Sequence, residues 1–102
     1  MRIVTWNVNG IRAAIRKGLD KFVDKIDADI WMLQEVRCLP EQLPPKWEPP
    51  KGSEMILHPA QKKGYSGVST ISRVDMKEVG RGMKGSLDPD DSEGRVLVTQ
   101  HG

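Results

Sequence analysis

The sequence has a single cysteine, Cys38, so it can make no internal disulfide and offers neither a CxxC pair nor a zinc quartet. No run approaches the roughly 18 to 20 apolar residues of a membrane span, and Met1 leads straight into an alternating pattern rather than the apolar core of a signal peptide. The expected address is intracellular: the cytoplasm or, in a eukaryote, the nucleus. A strong charge of one sign is also lacking. Sixteen Lys and Arg face fourteen Asp and Glu, and the net charge of +2 is too small to argue for a nucleic-acid partner by itself. Internal repeats and low-complexity tracts are absent, which excludes solenoids and linker-like chains. What is present is a chain of 102 residues, 37% hydrophobic and 29% charged, with mean hydropathy −0.50. Such a composition fits one small domain that folds in water, and excludes two cores of ordinary size.

The charge distribution says more than its sum. Residues 1–19 hold Arg2, Arg12, Arg16 and Lys17 and no acid, while Asp88, Asp90, Asp91 and Glu93 form an acidic stretch near the other end. Both are read first as solvated surface. From Arg2 to Val8 the chain alternates, with Val4, Trp6 and Val8 on one side and Ile3, Thr5 and Asn7 on the other, which predicts a strand. Asn9 is the predicted N-cap of a helical segment. Ile11, Ile15, Leu19, Phe22, Val23 and Ile26 form its apolar stripe at helical spacing, interrupted at Gly18. The apolar run Ile30–Leu33 then reads as a strand buried on both faces, closed by Gln34 and Glu35. Strand, helical crossover and buried strand make a βαβ unit with parallel pairing. In open α/β sheets ligands gather at the carboxyl ends of the strands, so Asn7 and Glu35 are the first candidates for a polar site.

Residues 39–52 hold five of the seven prolines (Pro40, Pro44, Pro45, Pro49 and Pro50) and predict an irregular connector. Met55–His58, Gly67–Arg73 and Arg95–Gln100 predict further strands. The whole is an α/β arrangement with a mixed sheet and helices on at least one face. The string from Gly80 to Gly85 has G-x-G-x-x-G spacing but is followed by Ser86-Leu87-Asp88-Pro89 instead of a helix, so a loop is predicted rather than a nucleotide site. Asp88 to Gly94 lacks the terminal Glu and flanking helices of a calcium loop and is read as a turn. Cys38 has no histidine nearby in sequence and is expected to be a structural thiol. His58 and His101 stand isolated, with packing or surface roles expected. A carboxylate that closes a buried strand is costly unless it is paired, exposed or bound to a cation. Glu35 can therefore be a ligand of a hard cation or a salt-bridge or capping carboxylate, and both roles stand at this point.

Four blocks, TWNVNGIRA at 5–13, DIWMLQEVR at 29–37, KKGYSGVSTISR at 62–73 and EGRVLV at 93–98, resemble in this order the opening of the exonuclease III family of abasic-site (AP) endonucleases. The resemblance implies a DNase I-like, four-layer α/β sandwich with a mixed sheet and flanking helices. Residues 1–102 would be the N-terminal part of that domain, with the C-terminal part absent. It implies a Mg²⁺-dependent DNA repair nuclease, Mn²⁺ being an alternative cation, that hydrolyses phosphodiester bonds 5′ to abasic sites and at 3′ ends. By the same resemblance Glu35 would be the metal-ligand carboxylate, with Asn7 supporting the metal and phosphate site. Asn9 stands where some relatives place an acid. Arg12 and Lys17 would reach the backbone of double-stranded DNA from the first helix, and Gly64, Tyr65 and Ser66 from a loop.

The chain stops before the family's NVYxPN-like block and before the segments that supply the Asp base and the closing Asp-His pair, and His101 does not occupy that His position. No catalytic base or acid is therefore expected within these residues, and the isolated chain is expected not to cut. The alternative is a non-catalytic remnant that binds DNA or metal weakly or complements a separate C-terminal half. The sheet begun by Val4, Trp6, Trp31 and Leu33 would leave an apolar face open to self-association.

Overall fold

The computed structural model describes residues 1–83 and 90–102. Strand β1 (Ile3–Asn7) leads into helices α1 (Ile11–Arg16) and α2 (Leu19–Ile26), and then into β2 (Ile30–Gln34). Gly18, with φ of +104°, separates the two helices, a conformation that costs a side-chain-bearing residue far more than glycine. After the proline-rich connector, which holds one 3₁₀ turn at Pro40–Gln42, come β3 (Glu54–His58), β4 (Val68–Ser72), β5 (Met76–Arg81) and β6 (Leu97–His101). The first four strands form one mixed sheet in the order β1-β2-β4-β3, and the last two pair as a separate antiparallel ribbon. β1 and β2 are parallel, with Ile3 opposite Ile30 and Asn7 opposite Gln34.

Strand pairing assigns the two faces of the sheet. Val4, Trp6, Trp31, Leu33, Ile71, Met55 and Leu57 share the face covered by the helices and the proline-rich connector, and with Ile11, Ala14, Leu19, Val36 and Cys38 they build the core. Trp6, Phe22 and Trp31 meet edge to face there, with ring centroids 5.1–6.3 Å apart. Cys38 is buried, as expected of a structural thiol. The ribbon lies against the β3–β4 half of the other face, where His58, Thr70 and Ser72 are buried. His101 reaches Ser72 Oγ at 3.2 Å from its Nδ1. At the amino ends of β1 and β2 the Asp29 carboxylate accepts the Arg2 amide at 2.7 Å and Arg73 at 3.1 Å.

Several sequence expectations change. The cap of α1 is Gly10, without a side-chain bond, because Asn9 adopts φ of +49° and turns away. β2 is not buried on both faces: Met32 is 41% exposed, on the side that the ribbon leaves open. The open half of the sheet carries Ile3, Thr5 and Met32, whereas Val4, Trp6, Trp31 and Leu33 are on the covered face. Gly80 and Arg81 belong to a strand and not to a loop, while Lys84 and Gly85 of that glycine motif lie outside the described residues, as does Asp88. β5 itself is not among the strands expected from the sequence, since a bulge between Glu78 and Gly80 breaks the alternation that would reveal it. Among the described residues no helix is long and apolar enough to cross a membrane.

Candidate functional site

The parallel register leaves Asn7 and Gln34 side by side at the carboxyl edge of the sheet, both on its non-helical face. In a continuing strand Glu35 would point to the opposite face. Instead its φ of +51° breaks the alternation, and its Oε2 accepts a hydrogen bond from Asn7 Nδ2. Asn7 Oδ1 accepts the Asn9 amide at 3.0 Å, which fixes the orientation of the side-chain amide. Glu35 Oε1 takes Arg37 Nη2 at 2.7 Å. The Asn7 amide, and then the Arg37 guanidinium, hold the Glu35 carboxyl below the usual carboxylate range, so it is ionised at neutral pH.

Three turns interlock around this carboxylate. Gly10 and Ile11 donate to the carbonyls of Glu35 and Val36 at 2.8 and 2.9 Å, while Val36 and Arg37 donate to Gly67 and Ser66 at 3.1 and 2.7 Å. Asn9, Glu35, Arg37 and Ser66 are all non-glycine residues at positive φ. Backbone strain of roughly 1–3 kcal/mol per such residue persists only where surrounding structure over-determines it, and it collects at functional sites.

Beside the carboxylate lies a basic cleft of about 310 Å³ lined by Gly10, Arg12, Ala13, Arg16, Arg37 and Gly64. Arg12 Nη2 donates to the Arg37 carbonyl at 3.3 Å, which ties α1 to the end of β2. The structure thus brings together Asn7, Glu35, Arg12 and Gly64, with the Ser66 backbone behind them. It does not bring Lys17 to the cleft: Lys17 lines a separate apolar pocket with Trp6, Val8 and Phe22. Tyr65 is 38% exposed, and its hydroxyl meets Glu93 rather than the cleft. Sequence reasoning misses Arg16 and Arg37 as cleft residues, although Arg16 lies four residues after Arg12, a spacing that shares a helix face.

The expected solvated acidic turn is also different. Asp91 is buried and meets His58 Nε2 at 2.7 Å, so His58 is not isolated. Asp91 Oδ2 also accepts the amides of Arg95 and Val96 at 3.0 and 2.8 Å, and Arg81 Nη1 lies 3.3 Å from His58 Nδ1. Because guanidinium only donates, Nδ1 accepts and Nε2 carries the proton given to Asp91. Burial pushes the Asp91 carboxyl up, but the Val96 amide, His58 and the Arg95 amide outweigh it and hold it below the ordinary range.

An ionised carboxylate thus stands at the carboxyl ends of two parallel strands of an α/β structure, beside a cleft lined by three arginines. Residues 4–99 match the Endonuclease/Exonuclease/phosphatase family, and the chain belongs to that family. An exodeoxyribonuclease of Bacillus subtilis is 34% identical over 98% of this chain and 38% of its own length. The DNA repair nuclease APEX1 of Danio rerio is 38% identical over 98% of this chain and 32% of its own. The solved 3′–5′ exonuclease NExo of Neisseria meningitidis superposes with a TM-score of 0.82 at 28% identity, covering 99% of this chain and 38% of that one. The DNase I-like α/β fold and the exonuclease III-type likeness are therefore shown. The chain spans only 32–38% of the length of these curated relatives.

The Asp91 clamp has a defined pH signature. A carboxyl held below its unfolded value of about 3.9 adds stability that is fully present above that value and is lost as pH falls through the folded one. Asp91→Asn should cost about 2–3 kcal/mol at neutral pH, and the gap to wild type should narrow below about pH 4. Urea melts across the acid range check it, and a gap that stays constant would remove the charge from the account.

Proposed function

We propose that this chain forms the metal-holding and backbone-holding part of a Mg²⁺-dependent DNA repair nuclease of the exonuclease III and AP endonuclease type. Its reaction would be hydrolysis of phosphodiester bonds 5′ to abasic sites and at 3′ ends. The observation that carries this reading is the adjacency of the ionised Glu35 carboxylate to the Arg12, Arg16 and Arg37 cleft. The names of the relatives, exodeoxyribonuclease and DNA repair nuclease, support the same class.

The donor set fits a hard cation. Mg²⁺ binds through one or two carboxylates, with water and substrate phosphate completing its shell, and Mn²⁺ accepts the same oxygens. Among the described residues each Glu35 oxygen makes one side-chain hydrogen bond, which leaves a further lone pair for a cation. A cation bound there would polarise the phosphodiester and stabilise charge on the leaving oxygen. Asn7 keeps the carboxylate oriented, and Arg37 offsets its charge when a phosphate approaches. Arg12 and Arg16 neutralise backbone phosphates without reading sequence, as a damage enzyme requires. Lys17, exposed at the end of α1, extends the basic surface, and Tyr65 presents a ring beside the backbone path. The base that prepares water is assigned to the length of the relatives that this chain does not span.

The purified chain, given a duplex with one abasic site, should bind but not incise it, with Mg²⁺ or with EDTA. Robust Mg²⁺-dependent incision would overturn the placement of the base. Glu35→Gln should keep DNA affinity in EDTA and lose any gain brought by Mg²⁺. Arg12→Ala should make the salt dependence of binding shallower by about one phosphate contact, and an unchanged slope would remove Arg12 from the backbone contact.

The open half of the sheet, with Ile3 53% and Met32 41% exposed, supports self-association of the chain through that face. Sedimentation equilibrium should show a concentration-dependent mass that Met32→Lys reduces to the monomer. A wild-type monomer at all concentrations would contradict it.

A further inference from the structure

We propose that Glu93 and Arg95 are positioning residues for Tyr65: together they form a polar seat that holds the Tyr65 ring in place for DNA. The proposal rests on the reading that the Tyr65 loop touches DNA, and it assigns a role to the EGRVLV block that the metal and cleft residues leave without one.

The Tyr65 hydroxyl is used in both directions. It donates to Glu93 Oε1 at 3.1 Å and accepts from Arg95 Nη2 at 3.3 Å, while Arg95 Nε binds Glu93 Oε2 at 2.8 Å. Lys62 Nζ stands 5.5 Å from the ring centroid. The hydroxyl, the carboxylate and the guanidinium close a ring of hydrogen bonds that fixes the hydroxyl and leaves Tyr65 38% exposed. Glu93 and Arg95 are opposite charges bound to each other, so the seat adds no net attraction for phosphate.

The seat is itself anchored to the arm of chain that enters the Tyr65 loop. Gln61 donates to the Ser92 carbonyl at 2.8 Å, and the Asp91 carboxylate binds His58 and the Arg95 and Val96 amides. Gly94, at φ of +62°, passes so close that a Cβ there would lie 2.7 Å from Ala60 N and Pro59 C and 2.9 Å from the His58 carbonyl. Only glycine permits that approach. One turn therefore holds the loop's entry through Asp91 and Gly94 and its tyrosine through Glu93 and Arg95. The benefit to binding is preorganisation: a side chain already held in place loses less freedom when the ligand arrives.

The prediction has a sign that electrostatics alone would reverse. Removing an acid near a polyanion should tighten binding, whereas Glu93→Ala should weaken duplex affinity about 3- to 10-fold, because Tyr65 loses its seat. Glu93→Gln, which keeps an acceptor, should recover most of the loss. Tyr65→Phe should weaken binding by a similar factor, and the double variant Tyr65→Phe with Glu93→Ala should be no worse than either alone. Without DNA, the ring resonances of the single tyrosine should shift in Glu93→Ala while the urea midpoint stays near wild type. Unchanged or tighter binding in Glu93→Ala, or additive losses, would overturn the seat if Tyr65→Ala weakens binding. If Tyr65→Ala binds as wild type does, the reading that Tyr65 meets DNA fails instead, and the proposal falls with it.

Discussion

The parallel pairing of β1 with β2 is the constraint on which the rest of the structure depends. It requires a crossover, which α1 and α2 supply, and it sets the ends of the two strands level, with Asn7 opposite Gln34. From that level edge one further residue reaches Glu35, whose backbone must turn to positive φ for its carboxylate to meet Asn7. The same pairing places the first turn of α1 next to the end of β2, so that Gly10 and Ile11 bind the Glu35 and Val36 carbonyls. Arg12 and Arg16 come to the carboxylate's side for that reason.

Core and site make opposite demands, and the two sheet faces divide them. The helical face buries Trp31, Leu33, Ile11 and Leu19 and supplies the main apolar burial of the domain. The other face is polar where strands β3 and β4 meet the ribbon, and at its carboxyl edge it carries the strained residues Asn9, Glu35 and Ser66. These conformations are held by backbone bonds between three turns that are far apart in sequence. A buried Asp91–His58 pair does a similar task for the turn that meets Tyr65. Glu35 is held by the Asn7 amide and Arg37 at a partly exposed edge, and Asp91 by two backbone amides and His58 in a buried position, where the low local dielectric makes the bonds strong and costly to disrupt.

Much of this is readable from the residues. Alternation in residues 2–8, the helical stripe through Ile26, its break at Gly18 and the apolar run at Ile30 place the βαβ unit and hence the Asn7 and Glu35 edge. What escapes sequence reading depends on long-range contact. The alternation of β5 is broken by its bulge. His58 and Asp91 are 33 residues apart and meet only after the ribbon folds back. Asn9 has the chemistry of an N-cap, yet the turn around Glu35 pulls it to positive φ and leaves Gly10 to cap. Arg12 and Lys17 look equivalent as helix cations, and only the position of the Arg37 carbonyl shows that Arg12 faces the cleft. The run Ile30–Leu33 overstates its own burial because it is apolar throughout, while cover on one side is only partial.

The most direct test of the account is the response of backbone amide resonances to Mn²⁺ in the 102-residue chain. The account predicts paramagnetic broadening centred on Asn7 to Asn9 and on Glu35 and Val36, and its loss in Glu35→Gln. Broadening centred on the Asp90–Glu93 turn, or broadening at the strand ends that survives Glu35→Gln, would contradict it.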